Sequence, residues 1–335
     1  MPCQPILIVG PSWVGDMVMA QSLFMLLHER RPETPLDVLA PAWSLPMIAR
    51  MSQVRRGIVA AGEHGEIAFG KRRALATGLR AAGYSQAIVL PRSLKSALVP
   101  WLARIPRRTG FRGEMRLGLI NDTRKFDAGY LDQTVKRFLA LGLDRDERIS
   151  AVPEPRLEVD ESRQQQILAR LGLNVDRPVI ALMPGAEYGP AKCWPLAHFR
   201  VLAEALEDAG YSVWVLGSGR DMQAGAAICA GGNARNLCGQ TSLEDAIDLL
   251  AACEQAVSND SGLMHVAAAV GIRIIALYGS TTPDFTPPLT AKCKIHYLQL
   301  ECSPCFAREC PLGHFRCLRE ITPQAVLATV LGARN

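Results

Sequence analysis

Short apolar runs that end at a turn and lead into an apolar-periodic helix recur along this chain, and few folds accept that alternation. Residues 5–10 (PILIVG) are a continuous hydrophobic run closed by Gly, the pattern of a parallel strand covered on both faces. A Gly-containing turn with Asp16 follows, then a helix pattern over 17–28. The unit repeats as a strand at 36–40, a helix at 43–51, a short strand at 57–60, a helix at 69–82 and a strand at 86–90. Residues 106–117 read as an arginine-rich loop, and 129–143 as a helix. A proline-bearing linker at 150–159 and a helix at 162–171 precede a second series. There, strands at 178–183, 212–216, 234–237, 255–258 and 274–278 alternate with helices. The expected architecture is α/β, with two Rossmann-like, doubly wound domains in tandem. They are placed at 1–175 and 176–320, and a last helix within 321–335 is expected to pack back toward the N-terminal domain. A chain of 335 residues suits two such cores better than one.

In sheets of this kind ligands sit beyond the C-terminal strand ends, so the turns there hold the functional candidates. Ser258-Asn259-Asp260-Ser261-Gly262 runs straight into a small-residue helix pattern from Leu263. Unpaired N–H groups and the dipole at such a start favour an anion, phosphate above all; the alternative is that Asp260 or Ser261 simply caps the helix. Lys192 ends a Gly/Pro-rich loop after the 178–183 strand and offers a point charge for phosphate. Asp16 holds the matching edge in the first series, either as a functional carboxylate or as a cap. Neither half contains G-x-G-x-x-G or GxxxxGK[ST], which removes the main support for a dinucleotide dehydrogenase or a P-loop NTPase.

Charge is unevenly placed. Residues 1–175 hold 25 Lys and Arg against 17 Asp and Glu, whereas the remainder holds 12 against 15. The first half is the face expected to meet an acidic partner, the alternative being a solvated basic surface. Nucleic acid is not expected, because Trp101 and Phe111 near the basic residues form no stacking series. No run of about 18 apolar residues offers a membrane span, and no basic segment followed by a long apolar one opens the chain, so a cytoplasmic location is expected. Of ten cysteines, Cys302, Cys305, Cys310 and Cys317 stand as C-x2-C-x4-C-x6-C, with His314 between the last two. Such thiolates could hold zinc or an iron–sulfur cluster. No second C-x2-C pair stands at zinc-ribbon spacing, so a reduced or partly disulfide-linked structural loop is preferred.

Four separated motifs carry a family resemblance: PSWVGDM at 11–17, PGAEYGPAKCWP at 184–195, SNDSGLMHVAAA at 258–269 and YGSTTPDFTPP at 278–288. With the basic segment 95–116, this order is similar to that of the ADP-heptose:lipopolysaccharide heptosyltransferases, bacterial glycosyltransferases of the GT-B fold. The similarity runs from residue 6 to about 330. It implies two Rossmann-like domains facing each other across a cleft, and transfer of L-glycero-D-manno-heptose from ADP-heptose to the lipopolysaccharide inner core, with inversion at the anomeric carbon. It also implies a peripheral protein on the cytoplasmic face of the inner membrane. Glu187 and Tyr188 stand where the transferase of the first heptose has Thr residues. That difference favours the branch that extends heptosyl-Kdo2-lipid A.

Residue by residue, the resemblance makes Asp16 the catalytic base and Lys192 the donor-phosphate lysine, and matches Asp260, Ser261, Gly262 and His265 to the donor turn, where the Leu263 amide joins them. Asp221 falls where relatives carry a Glu on the adenosine ribose. Acceptor contacts are expected at Ser12, Trp13, Lys95, Arg107, Arg108, Arg112 and Arg116, which would meet Kdo carboxylates or lipid A phosphates. No cofactor beyond the donor substrate is required, and metal at the four cysteines is not favoured. Two other readings stay open: a GT-B transferase with another nucleotide sugar or acceptor, and a non-catalytic nucleotide or polyanion sensor with a Cys-rich metal element.

Overall fold

The computed structural model describes residues 3–62, 66 and 68–332. It divides into two compact units, Met1–Pro155 and Arg156–Asn335, each built on one six-stranded sheet. The first unit runs β1 (Ile6–Val9), α1 (Val14–Arg30), β2 (Leu36–Ala40), α2 (Leu45–Ile48), β3 (Val54–Val59), α3 (Phe69–Leu79), β4 (Gln86–Val89), α4 (Leu94–Leu102), β5 (Arg107–Phe111), β6 (Asp122–Arg124) and α5 (Thr134–Gly142). Its strand order is β3-β2-β1-β4-β5-β6, and every pairing is parallel. The residues of β1 and β4 are all buried, which explains why they read as continuous apolar runs.

The second unit runs α6 (Glu161–Leu171), β7 (Val179–Met183), α7 (Leu196–Asp208), β8 (Ser212–Val215), α8 (Met222–Ile228), β9 (Arg235–Asn236), α9 (Leu243–Ala251), β10 (Gln255–Asn259), α10 (Gly262–Ala269), β11 (Arg273–Tyr278), β12 (Cys293–Tyr297), α11 (Arg316–Arg319) and α12 (Pro323–Gly332). The order β12-β11-β10-β7-β8-β9 repeats the permutation of the first sheet, again all parallel. Strand order therefore reverses between β1 and β4 in one unit and between β7 and β10 in the other. Those switch points are where loops diverge and a ligand can enter.

Several expectations are corrected. The supposed loop at 106–117 contains β5, a strand with two arginines and no apolar run. A polar ladder explains it: Gln86 Nε2 donates to Thr109 Oγ1 at 2.8 Å, and Thr109 Oγ1 to Asp122 Oδ2 at 2.8 Å, tying β4, β5 and β6 side by side. β12, half-exposed at the sheet edge, was also not expected. The division falls at Pro155/Arg156, ahead of 175, because the segment after it is bound to the second unit. Leu157 N donates to Ala269 O at 3.0 Å, Asp160 N to Asp248 Oδ1 at 3.0 Å, and Arg163 pairs with Asp245 at 2.6 Å.

The last helix belongs to the second unit and completes its core. Val326 and Val330 of α12 are fully buried in a core with Trp194, Phe199 and Leu202, and Gln255 Nε2 donates to Val330 O at 3.2 Å. Residues 333–335 lie outside the described residues. Trp194 anchors this core: its Nε1 donates to Ile321 O at 2.9 Å, and Phe199 meets its ring edge-on, centroids 4.8 Å apart. Replacing Trp194 with Ala removes that bond and leaves a large cavity, an expected loss of about 3–5 kcal/mol. Urea unfolding measures it; a loss under about 1 kcal/mol, the range of surface changes, would show that Trp194 is no anchor.

Candidate functional site

At the second switch point the loop after β7 is held at both ends by one side chain. Asn259, the last residue of β10, donates from Nδ2 to Pro184 O at 2.6 Å and accepts at Oδ1 from Trp194 N at 3.0 Å. Inside the loop, Gly189 has φ 153°, and a Cβ there would stand 2.5 Å from Arg308 O, so only Gly fits. The turn delivers Lys192, whose Nζ lies 2.5 Å from Asp260 Oδ2, with the two side chains 14% and 5% exposed. Thr281 Oγ1 donates to the same oxygen at 2.6 Å. The Tyr188 ring lies 5.1 Å from Lys192 Nζ and 5.4 Å from the Arg308 guanidinium, and its hydroxyl donates to Phe306 O at 2.6 Å.

The adjacent start of α10 is open. Ser261 is the N-cap residue but makes no side-chain cap bond. Ser258 Oγ donates to Asn259 O at 2.7 Å and sits 3.3 Å from Ser261 Oγ, while the Asp260 carboxylate is engaged by Lys192 and Thr281. The backbone donors at Gly262 and Leu263 therefore face the site without a capping side chain from Ser261, an arrangement suited to an anion. His265, one turn on, is buried. Burial pushes its pKa down to about 4, with Asp260 opposing and the Lys192 charge adding to the shift, so the imidazole is neutral at pH 7.

Asp221 joins this loop cluster but is already at work in it. Its Oδ2 accepts from Ser218 N and Ser218 Oγ, both at 2.8 Å, in a capping box. Gly185 lies against the carboxylate, where a Cβ would come within 2.7 Å of an oxygen. Thr281 and Asn259 are site residues to which the sequence alone assigned no role, and Tyr188, noted there only as a difference from the transferase of the first heptose, lies against the lysine. Thr281 lay inside a quoted motif, and Asn259 directly beside Asp260, so position pointed to both.

In the first unit Asp16 is the third residue of α1, half-buried at the carboxyl edge of β1 and beside the switch to β4. Ser12 and Trp13 are exposed just before it. The basic residues separate into two groups. Arg116 is buried, donating to Pro91 O at 2.7 Å and Phe111 O at 2.5 Å. Arg108 donates to Leu119 O at 2.7 Å and Ile105 O at 2.6 Å. These two guanidinium groups brace the backbone. Arg107 pairs with Asp122 at 3.0 Å yet stays partly exposed, Arg112 is exposed and Lys95 is half-exposed. The four cysteines of the tail are free thiols, so no disulfide closes that loop.

Two parallel sheets of like strand order, with a lysine-bearing loop and an uncapped helix start at the switch point of the second, define an α/β protein of the GT-B type. The chain belongs to glycosyltransferase family 9, the heptosyltransferases, whose pattern matches residues 72–316. It is 45% identical to lipopolysaccharide heptosyltransferase 2 of Escherichia coli strain K12 and 41% identical to lipooligosaccharide heptosyltransferase 2 of Haemophilus influenzae. The alignments span 96% of both chains in the first case, and 96% of this chain and 97% of the relative in the second. The solved E. coli ADP-heptose LPS heptosyltransferase II superposes with a TM-score of 0.88 at 43% identity over 98% of each chain. Among the described residues no helix is long and apolar enough to cross a membrane.

A pH prediction follows from His265. Its folded pKa is depressed from 6.5, so the unfolded chain binds the proton first, and stability falls as pH drops from 6.5 toward about 4. Between pH 7 and 4.5 this group should account for roughly 2 kcal/mol of lost stability, a contribution absent from His265→Gln. Urea denaturation of both proteins at the two pH values checks it; equal losses would place His265 outside the buried environment.

Proposed function

We propose that this transferase moves L-glycero-D-manno-heptose from ADP-heptose to the first heptose of a lipopolysaccharide inner core, inverting the anomeric centre. The observation that carries the reading is the Lys192–Asp260–Thr281 arrangement beside the uncapped start of α10, in a chain 45% identical to a lipopolysaccharide heptosyltransferase 2. The donor diphosphate lies over the Gly262 and Leu263 amides. Lys192 reaches it with the ammonium donors that Asp260 does not occupy. Asp260 serves as the anchor of the lysine rather than as a phosphate contact, since a second anion against the diphosphate would repel. Asp221 accepts from the ribose hydroxyls in addition to its capping bonds.

In the reaction Asp16 takes the proton of the acceptor hydroxyl as that oxygen bonds to the anomeric carbon. The bond from that carbon to the β-phosphate oxygen breaks, and ADP leaves with its electron pair. Negative charge grows on the phosphate, where Lys192 and the helix amides meet it, while the ring takes on oxocarbenium character. Neutral His265 packs beneath this cradle without adding a second cation. On the first unit, Ser12, Trp13, Lys95, Arg107 and Arg112 receive the acidic acceptor, and Arg108 and Arg116 support the backbone that presents them. The acceptor is a lipid, so the enzyme works as a peripheral protein at the cytoplasmic face of the inner membrane.

Turnover of ADP-heptose should be greatest with an acceptor carrying one heptose and low with acceptors carrying none or two. Asp16→Asn should lower turnover by about a hundred- to ten-thousand-fold while donor binding stays close to wild type. Undiminished turnover in that variant removes Asp16 as the base, and donor binding without transfer to any acceptor favours a sensor instead.

A further inference from the structure

We propose that Cys302, Cys305, Cys310 and Cys317 form a binding site for a zinc-class ion, and that this ion fixes the segment bracing both donor loops. Though spread from residue 302 to 317, the four thiols line a single small cavity of about 20 Å³ together with His314, Ala191 and Ser280. That is room for one water-sized occupant. The wall carries a further sign of an absent partner: Ser280 Oγ is buried without a hydrogen bond. Around Cys310 the chain curls through Gly313 (φ 68°) and Phe315 (φ 51°). Gly313 N donates to Cys310 O at 3.0 Å and closes that turn.

Among the described residues no three Cys, His, Asp or Glu side chains stand close enough together to close on a metal ion. Binding must therefore draw the thiols inward, with loss of their protons, to the tetrahedral sulfur set that zinc favours. His314 Nδ1 accepts from Arg316 N at 3.0 Å, so Nε2 carries the ring proton and the four thiols, not the imidazole, are the ligand set.

What the ion would lock is the chain between the first cysteine and the third. Ser303 Oγ donates to Gly279 O, and Phe306 N to Ser280 O at 2.7 Å, which fixes the turn that carries Thr281. On the other side Phe306 O accepts from the Tyr188 hydroxyl, and Arg308 O accepts from Ala191 N at 3.0 Å, next to Lys192. Residues 303–308 are thus a strut between the two loops whose side chains meet on Asp260. This second half rests on the donor-site reading above; the metal site does not.

Metal analysis of the full chain, purified without a metal-affinity step, should give one zinc-class ion per chain. Exchange with Co2+ should produce the thiolate charge-transfer and tetrahedral absorption bands. Cys305→Ser and Cys310→Ser should lose the ion, whereas Cys3→Ser, at an exposed thiol of the first unit, should keep it. A folded wild-type chain that carries no metal and takes up no Co2+ overturns the site, even if the variants fail to fold. Chelation should weaken ADP binding several-fold with the fold intact by circular dichroism. Unchanged ADP affinity overturns the strut, and a metal-loaded chain that binds no ADP overturns the donor reading while the metal site stands.

Discussion

An ammonium group that is largely withdrawn from water is tolerable only beside a counter-charge, and the second unit is arranged around that requirement at Lys192. Asp260 supplies the charge, Thr281 fills another lone pair of the same oxygen, and the Tyr188 ring covers the approach to Nζ. Each partner comes from a different loop, after β7, β10 or β11, so the pair also decides how three loops stand relative to one another. A fully neutralised lysine would be a poor phosphate ligand, but an ammonium has three donors and Asp260 engages it through one oxygen. The pair therefore holds the cation in place while leaving it able to bond outward. The uncapped start of α10 adds donors with no charge to neutralise.

That loop geometry is set by sheet topology. In both units strand order reverses between the first and fourth strands of the sheet, and successive crossovers leave on opposite sides there. Asn259 exploits the gap directly, because it ends β10 and can reach both Pro184 and Trp194, which flank the loop after the neighbouring β7. Trp194 is bound in turn to Ile321, so the last segment of the chain is tied to the same loop through the core. This is the physical reason that α12 packs in the second unit: its buried valines complete the core on which Trp194 sits.

The sequence was most legible where structure is local. Buried parallel strands such as β1, β7 and β11 show as apolar runs. Motif residues Lys192 and Asp260 were identifiable, but their bond to each other, across 68 positions, was not. β5 was missed because its stability comes from a cross-strand ladder through Gln86, Thr109 and Asp122 rather than from apolar pattern. Asp221 shows a subtler limit. Its residue type fits a ribose ligand and a cap equally well, and only the coordinates show Oδ2 already committed to Ser218. For the cysteines, spacing alone left metal and structural loop unresolved, because what distinguishes them is the gathering of four thiols and His314 on one cavity.

The basic segment of the first unit divides for a reason that applies to any parallel sheet. At the carboxyl edge the terminal carbonyls have no further strand N–H to accept from, and a guanidinium with five donors can serve several at once. Arg116 does this for Pro91, just past β4, and for Phe111 at the end of β5, while Ser96 adds a hydroxyl partner at 3.3 Å. An arginine so used cannot also grip a carboxylate or phosphate by a bidentate fork. Its charge is not lost to the site, however. Buried charge is screened less by salt than the exposed charge of Arg112, so Arg116 biases the carboxyl edge toward anions without touching one. Buried and exposed arginines at that edge thus differ in what their charges can do, a division that residue type and spacing alone do not reveal.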